Sequence, residues 1–177
     1  IKLSLRLFNA PKDFVYVDFY DRYIDECRNP TAIRLSEVEQ LKDLLYLADV
    51  DYKNKVILDV SGGPGLVAKS LAEKGAKVTV TELTAGSVEA MSEAFPISAS
   101  VFAYDEDDLT ELFDKNSLDI VMIRSSIIFA RDLDKLFSEI KSILKPDGIL
   151  LIETTVPTLG EVFWWQTMEY KFPFLFS

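Results

Sequence analysis

One stretch limits what this chain can fold into: Val56-Ile57-Leu58-Asp59-Val60 followed by Ser61-Gly62-Gly63-Pro64-Gly65. Four β-prone apolar residues surround a single acid, a glycine-rich turn opens, and a helical pattern begins at Leu66. An apolar run of this kind predicts a strand buried on both faces, which requires a parallel sheet covered by helices. Glycine in the turn lets a ligand approach the backbone where a Cβ would block it. The turn amides and the start of the next helix form a positive dipole end. Asp59 stands out, because a carboxylate at the end of a buried strand is unfavourable unless hydrogen bonds or a ligand satisfy it. An ordinary strand-turn-helix is the plain reading; a nucleotide-type cofactor site is the sharper one.

The rest of the chain alternates in the same way. Val67, Ala68, Leu71 and Ala72 form a helix face that Gly75 stops. Lys77 to Thr81 is a second strand ending at Glu82; Val88, Met91 and Phe95 carry a helix that Pro96 ends; Ile97 to Ala103 is a weaker third strand. Asp108 and Glu111 box a short helix burying Leu109, Leu112 and Phe113, before a fourth strand over Leu118 to Ile123. Leu133, Leu136, Phe137, Ile140 and Leu144 make a helix stripe, Lys145-Pro146-Asp147-Gly148 a turn, and Ile149 to Thr155 a fifth strand. Strict β-α alternation predicts an α/β fold: a doubly wound, mostly parallel, Rossmann-like sheet with helices on both faces. Upstream, Ile1 to Phe8 alternates like a half-buried strand, and Phe14 to Cys27 is aromatic and weakly helical until Asn29-Pro30. Ser36 and Glu39 form a capping box for a helix carrying Val38, Leu41, Leu44, Leu45 and Ala48. The expected division is an N-terminal strand and helical extension over 1–54, a core over 55–156 and an aromatic segment over 157–177.

Composition narrows the function. A net charge of −10 disfavours a nucleic-acid substrate and an anionic membrane surface. The chain has no histidine, which excludes Ser-His-Asp and Cys-His hydrolases and disfavours a catalytic metal site. The single cysteine, Cys27, rules out an internal disulfide and fits a reducing, cytoplasmic compartment. No signal peptide or transmembrane span is recognisable. The first residue is Ile1, so the chain is expected to be trimmed or excised from something longer.

Over roughly Lys55 to Thr155 the chain resembles the class I S-adenosylmethionine-dependent methyltransferases. The glycine turn matches the family's first motif, with Ser61 where the first glycine usually stands. Glu82, at the end of the second strand, matches the acid that accepts both ribose hydroxyls. Asp105, in the acidic run Asp105 to Asp108, matches the acid that meets the adenine amino group. Asp119 to Ser126 resembles the fourth strand, whose end borders the methionine part of the cofactor. Ile128 and Phe129 stand where many small-molecule methyltransferases carry a histidine pair, and Asp147 replaces a glycine in the turn before the fifth strand. The resemblance implies S-adenosylmethionine as cofactor, held by Asp59, Ser61, Gly62, Gly63, Gly65, Glu82, Leu83, Asp105, Glu106 and Arg124, with Tyr20 from a helical lid. Tyr16 and Tyr23 belong to the same lid region, and Arg34 is a candidate partner for an anionic group.

The implied reaction is methyl transfer to a small-molecule acceptor. The sulfonium carbon is already electrophilic, so the enzyme mainly aligns the nucleophile and excludes water. An acidic acceptor makes a histidine dispensable. Two other readings compete. Gly63-Pro64-Gly65-Leu66-Val67-Ala68 satisfies the G-x-G-x-x-A fingerprint of a nicotinamide-dependent oxidoreductase, but that fingerprint explains neither Asp59 nor the Lys145 to Gly148 turn. A non-catalytic domain on the same fold is the third reading. The family's two terminal strands are not recognisable in Gly160 to Ser177, whose aromatic residues suit core packing, a lid or a subunit contact. Homo-oligomerisation or a place in a parent multidomain protein follows from that reading.

Overall fold

The computed structural model describes residues 23–47, 49–104 and 106–154. The expected Ile1 to Phe8 strand, Tyr16, Tyr20, Asp105 and the aromatic segment lie outside these residues. A short helical stretch over 23–28 precedes α1 (Ala32–Leu47). Then follow β1 (Val56–Val60), α2 (Leu66–Ala72), β2 (Lys77–Glu82), α3 (Ala85–Ala94), β3 (Ser98–Val101) and α4 (Leu109–Leu112). The described part ends with β4 (Leu118–Arg124), a 3₁₀ turn (Ile127–Phe129), α5 (Leu133–Ile143) and β5 (Leu144–Glu153).

The five strands form one sheet in the order β3-β2-β1-β4-β5, and every described pairing is parallel. β1 lies at the centre, with Leu58 beside Thr79 of β2 and Val121 of β4. Its alternating side chains enter two cores. Ile57 joins Leu41, Leu45, Val67, Leu71 and Met91, so α1, α2 and α3 cover one face. Leu58 and Val60 join Leu109, Leu136, Ile140 and Ile143, so α4 and α5 cover the other. Apolar burial on both sides is why the strand reads as a continuous run and not an alternating one. The strand order reverses between β1 and β4, and open sheets of this type bind ligands in the crevice at that switch point.

Several local expectations are corrected. α1 starts four residues before Ser36, because Thr31 Oγ1 accepts the Arg34 amide at 3.4 Å and starts the helix earlier. Ser36 then lies inside the helix, where its hydroxyl donates to the Ile33 carbonyl, and Glu39 pairs with Lys42 instead. β5 begins at Leu144 and contains the expected turn as an irregularity: Leu118 pairs with Leu144, but Ile120 pairs with Ile149. A Cβ on Gly148 would lie 2.9 Å from the Lys145 carbonyl oxygen, so the detour requires glycine. Leu112 is 42% exposed, although Leu109 in the same short helix is fully buried.

Candidate functional site

The glycine turn is fastened to the end of β2 by three successive amides. Ser61 N donates to Thr81 Oγ1 and Gly62 N to the Thr81 carbonyl, each at 3.2 Å; Gly63 N donates to Glu82 Oε1 at 2.8 Å. These donors are therefore directed at β2 and not at the crevice. Gly62 is required by close approach: a Cβ there would stand 2.7 Å from Asp59 Oδ2. Gly63 differs. Its φ is +65°, and among the described residues the nearest atom to a Cβ would be the Tyr23 ring carbon Cζ at 3.9 Å, an ordinary contact, so the backbone conformation and not close approach favours glycine here. Gly65, at φ 74°, caps the start of α2.

Glu82 is buried at the carboxyl end of β2, and its second oxygen accepts the Leu83 amide at 3.0 Å. Glu82 does not cap the helix that follows: the N-cap of α3 is Thr84, whose side chain accepts the Ser87 amide. Burial pushes the Glu82 carboxyl up to about 7; the amides of Leu83 and Gly63 oppose this, nearby Asp59 adds to it, and Arg34 opposes it.

Asp59 is fully buried and is answered by Arg124 from the end of β4, whose NH2 group donates to Oδ2 at 3.0 Å. Burial works against the Arg124 charge, but Asp59 outweighs it, and the guanidinium holds its proton more tightly than usual. Arg124 thus spans β1 and β4 at the switch point. Arg34, the candidate for an anionic group, is occupied by Glu26 Oε2 at 2.9 Å and Glu37 Oε1 at 2.8 Å. It also sits over the Tyr23 ring, 5.1 Å from its centroid. Cys27 Sγ donates to the Pro64 carbonyl at 3.3 Å, holding the 23–28 stretch against the glycine turn. Burial pushes that thiol up to about 11, as suits a packed group and not a nucleophile.

On the other side of the crevice, α5 braces the loop after β3. Lys135 Nζ donates to the Asp107 carbonyl at 3.0 Å, and Glu139 Oε2 accepts the Leu109 amide at 3.1 Å. Glu106 in that loop is exposed, and the half-buried Tyr104 lies 3.0 Å from Ser126 Oγ in the loop after β4. Ser61 and Ser125, which directly follow β1 and β4, adopt φ values of 53° and 56°. Non-glycine residues in this region carry strain, and such strain gathers at functional sites. Beyond Ser126, Ile128 is 65% exposed and Phe129 is 42% exposed.

The structure therefore brings Asp59, Ser61, Gly62, Gly63, Glu82, Leu83 and Arg124 together at the carboxyl ends of β1, β2 and β4, with Gly65 at the start of α2. Sequence reasoning missed Thr81, Tyr104 and Ser126. None has a local signature, because each acts on a residue far away in the chain.

A family described as "Methyltransferase domain" matches residues 58–152. A curated relative, the ubiquinone biosynthesis O-methyltransferase of Pelagibacter ubique, is 26% identical over 132 residues, covering 74% of this chain and 55% of the relative. This chain thus spans about half the length of that relative. A solved S-adenosylmethionine-dependent methyltransferase from Mesorhizobium loti superposes with a TM-score of 0.57 at 20% identity, covering 63% of this chain and 51% of its own. A TehB-like S-adenosylmethionine-dependent methyltransferase from Corynebacterium glutamicum gives 0.59 at 19% identity, covering 80% and 73%. Both likenesses show the fold, and the family match covers just over half of the chain, from within β1 to near the end of β5. The chain belongs to the methyltransferase-domain family, the class I fold that works with S-adenosylmethionine.

Proposed function

We propose that this chain binds S-adenosylmethionine in the crevice between β1, β2 and β4 and transfers its methyl group to a small-molecule acceptor. The observation that carries the reading is Glu82: a buried carboxylate at a parallel-strand end, with each oxygen accepting one amide among the described residues. A carboxylate has about four acceptor sites. Two hydroxyls of a ribose fit the remaining ones, and Gly63 brings no side chain of its own into the sugar's path.

When bound, the cofactor supplies an electrophilic methyl group on sulfur. The chain's residues bind and orient. Glu82 holds the ribose, and the Asp59–Arg124 pair fixes the β1 and β4 ends against one another. Asp105 and Glu106 are assigned to the adenine side, with Tyr20 in the lid. Exposed Ile128 and Phe129, just past the switch point, favour an acceptor with an apolar face. With no histidine in the chain, an acceptor acidic enough to arrive deprotonated suits the site. The net charge of −10 speaks against nucleic acid as acceptor. The single free thiol suits a cytoplasmic setting. No helix among the described residues is long and apolar enough to cross a membrane.

S-adenosylmethionine and its demethylated product should raise the melting temperature by mass action on the folded state, while nicotinamide dinucleotides should leave it unchanged. A shift with the dinucleotides alone would overturn the assignment. Cofactor binding without release of the demethylated product, across a panel of phenols, enols and carboxylic acids, would point to a binding domain instead.

A further inference from the structure

Two hydroxyls meet at the end of β1, where the loops after β3 and β4 converge. The Tyr104 phenol lies 3.0 Å from Ser126 Oγ. Ser126 Oγ donates to the Val60 carbonyl at 3.2 Å. Each hydroxyl carries one proton to donate. With the Ser126 proton on Val60, the phenol must donate to Ser126. The chain of bonds therefore runs from Tyr104 through Ser126 to Val60, the last residue of β1. A chain directed in this way strengthens each of its members.

The surroundings show what the chain holds. Ser61 and Ser125 flank it in left-handed conformations that the backbone would leave if free. Tyr104 is braced by an edge-on contact with the Phe102 ring, 5.5 Å between centroids. The Phe102 amide in turn donates to the Glu82 carbonyl at 2.9 Å.

We propose that the chain from Tyr104 through Ser126 to Val60 is a latch that holds the loops after β3 and β4 against the end of β1 in the cofactor-binding arrangement, with Tyr104 as a positioning residue. The proposal rests on the cofactor reading above. Tyr104 acts through the glycine turn and the β4 loop, not by touching the reacting atoms.

Tyr104→Phe keeps the ring and its contact with Phe102 but removes the hydroxyl, leaving Ser126 without its donor. The test is calorimetry with S-adenosylhomocysteine on the full chain, for the wild type, Tyr104→Phe, Ser126→Ala and their double variant, alongside melting curves and amide exchange. Tyr104→Phe should weaken binding about threefold to tenfold, the range of one neutral hydrogen bond. The double variant should lose no more than the weaker-binding single one, because both break the same chain. In the free protein, the amides of 61–63 and 125–130 should exchange faster in Tyr104→Phe. A purely structural tyrosine would lower the melting temperature and leave affinity unchanged; that result, or additive losses in the double variant, overturns the latch. The two readings also fail separately. Faster loop exchange in Tyr104→Phe, with no binding by the wild type, sinks the cofactor reading and keeps the latch. Wild-type binding, with affinity and exchange unchanged in Tyr104→Phe, sinks the latch alone.

Discussion

Each end of the sheet carries an aspartate paired with a cation from a neighbouring strand, and the two pairs are built differently. At the amino end, Asp119 of β4 meets Lys145 of β5 at 2.9 Å and also accepts the Val56 amide at 2.8 Å. Its side chain is 18% exposed and that of Lys145 41%. At the carboxyl end, Asp59 and Arg124 meet at 3.0 Å with exposures of 0% and 9%. The left-handed residues follow the same division. The loops entering β1 and β4 use Asn54 and Asn116, and asparagine visits that region readily; the loops leaving those strands use Ser61 and Ser125. The amino end is closed with residues suited to their conformations. The carboxyl end concentrates buried charge and backbone strain, the pattern of a site kept for binding.

The largest expected effect follows from burial. Arg124→Met leaves the Asp59 carboxylate fully buried without its partner and should destabilise the fold by roughly 3–5 kcal/mol. Asp59→Asn added to Arg124→Met should recover part of that loss by removing the stranded charge. Denaturant melts of the two variants measure both numbers. If Arg124→Met is nearly silent, the contrast between the two ends collapses.

Glu82 sharpens the comparison through binding. Glu82→Ala should weaken S-adenosylmethionine affinity about tenfold to a hundredfold, at roughly 1.4 kcal/mol per decade, while the fold survives. Glu82→Gln should fall between. pH adds a second readout. The folded carboxyl titrates near 7, against an ordinary value of 4.5, so the folded state holds the proton more tightly. Its contribution to stability is therefore full below about 4.5 and is lost as pH rises through about 7. Cofactor affinity should run the other way, because the ionised carboxylate accepts better. A site that must be ionised to bind gains up to about tenfold between pH 6 and 8. Calorimetry across that range should show the rise in the wild type and a flat line in Glu82→Gln; the same slope in both would place the titrating group elsewhere.

The half of the site around β1 and β2 was legible in the chain because its determinants are local. An apolar run, a glycine turn and an acid at a strand end are read within a few residues of one another. Everything that joins β1 to β4 was not legible. Asp59 and Arg124 are 65 positions apart, and Tyr104 and Ser126 are 22 apart, so only the topology makes them neighbours. Direction was lost too. The turn amides looked free for a ligand, yet three of them are spent on Thr81 and Glu82. The start of α1 was misread for a different reason. Ser36 and Glu39 satisfy a capping box in spacing alone, but Thr31, directly after Pro30, caps first.

The smallest effect belongs to the amino end. Lys145→Met removes a half-exposed ammonium, and Asp119 keeps both water and the Val56 amide, so the loss should not exceed about 1 kcal/mol. Its pH signature is opposite in sign to that of Glu82. The Val56 amide, with Lys145 and despite some desolvation, holds the Asp119 carboxyl below its ordinary 3.8. The folded state thus releases that proton more readily than the unfolded chain. The stability it contributes is present above about 3.8 and is lost as pH falls through the lower folded value. Melts between pH 2 and 5 should show this acid limb in the wild type. Asp119→Asn should remove it, while Lys145→Met only shrinks it, because the larger cause is the backbone amide and not the lysine. An acid limb that vanishes in Lys145→Met would make the pair, and not the Val56 hydrogen bond, the source of the shift.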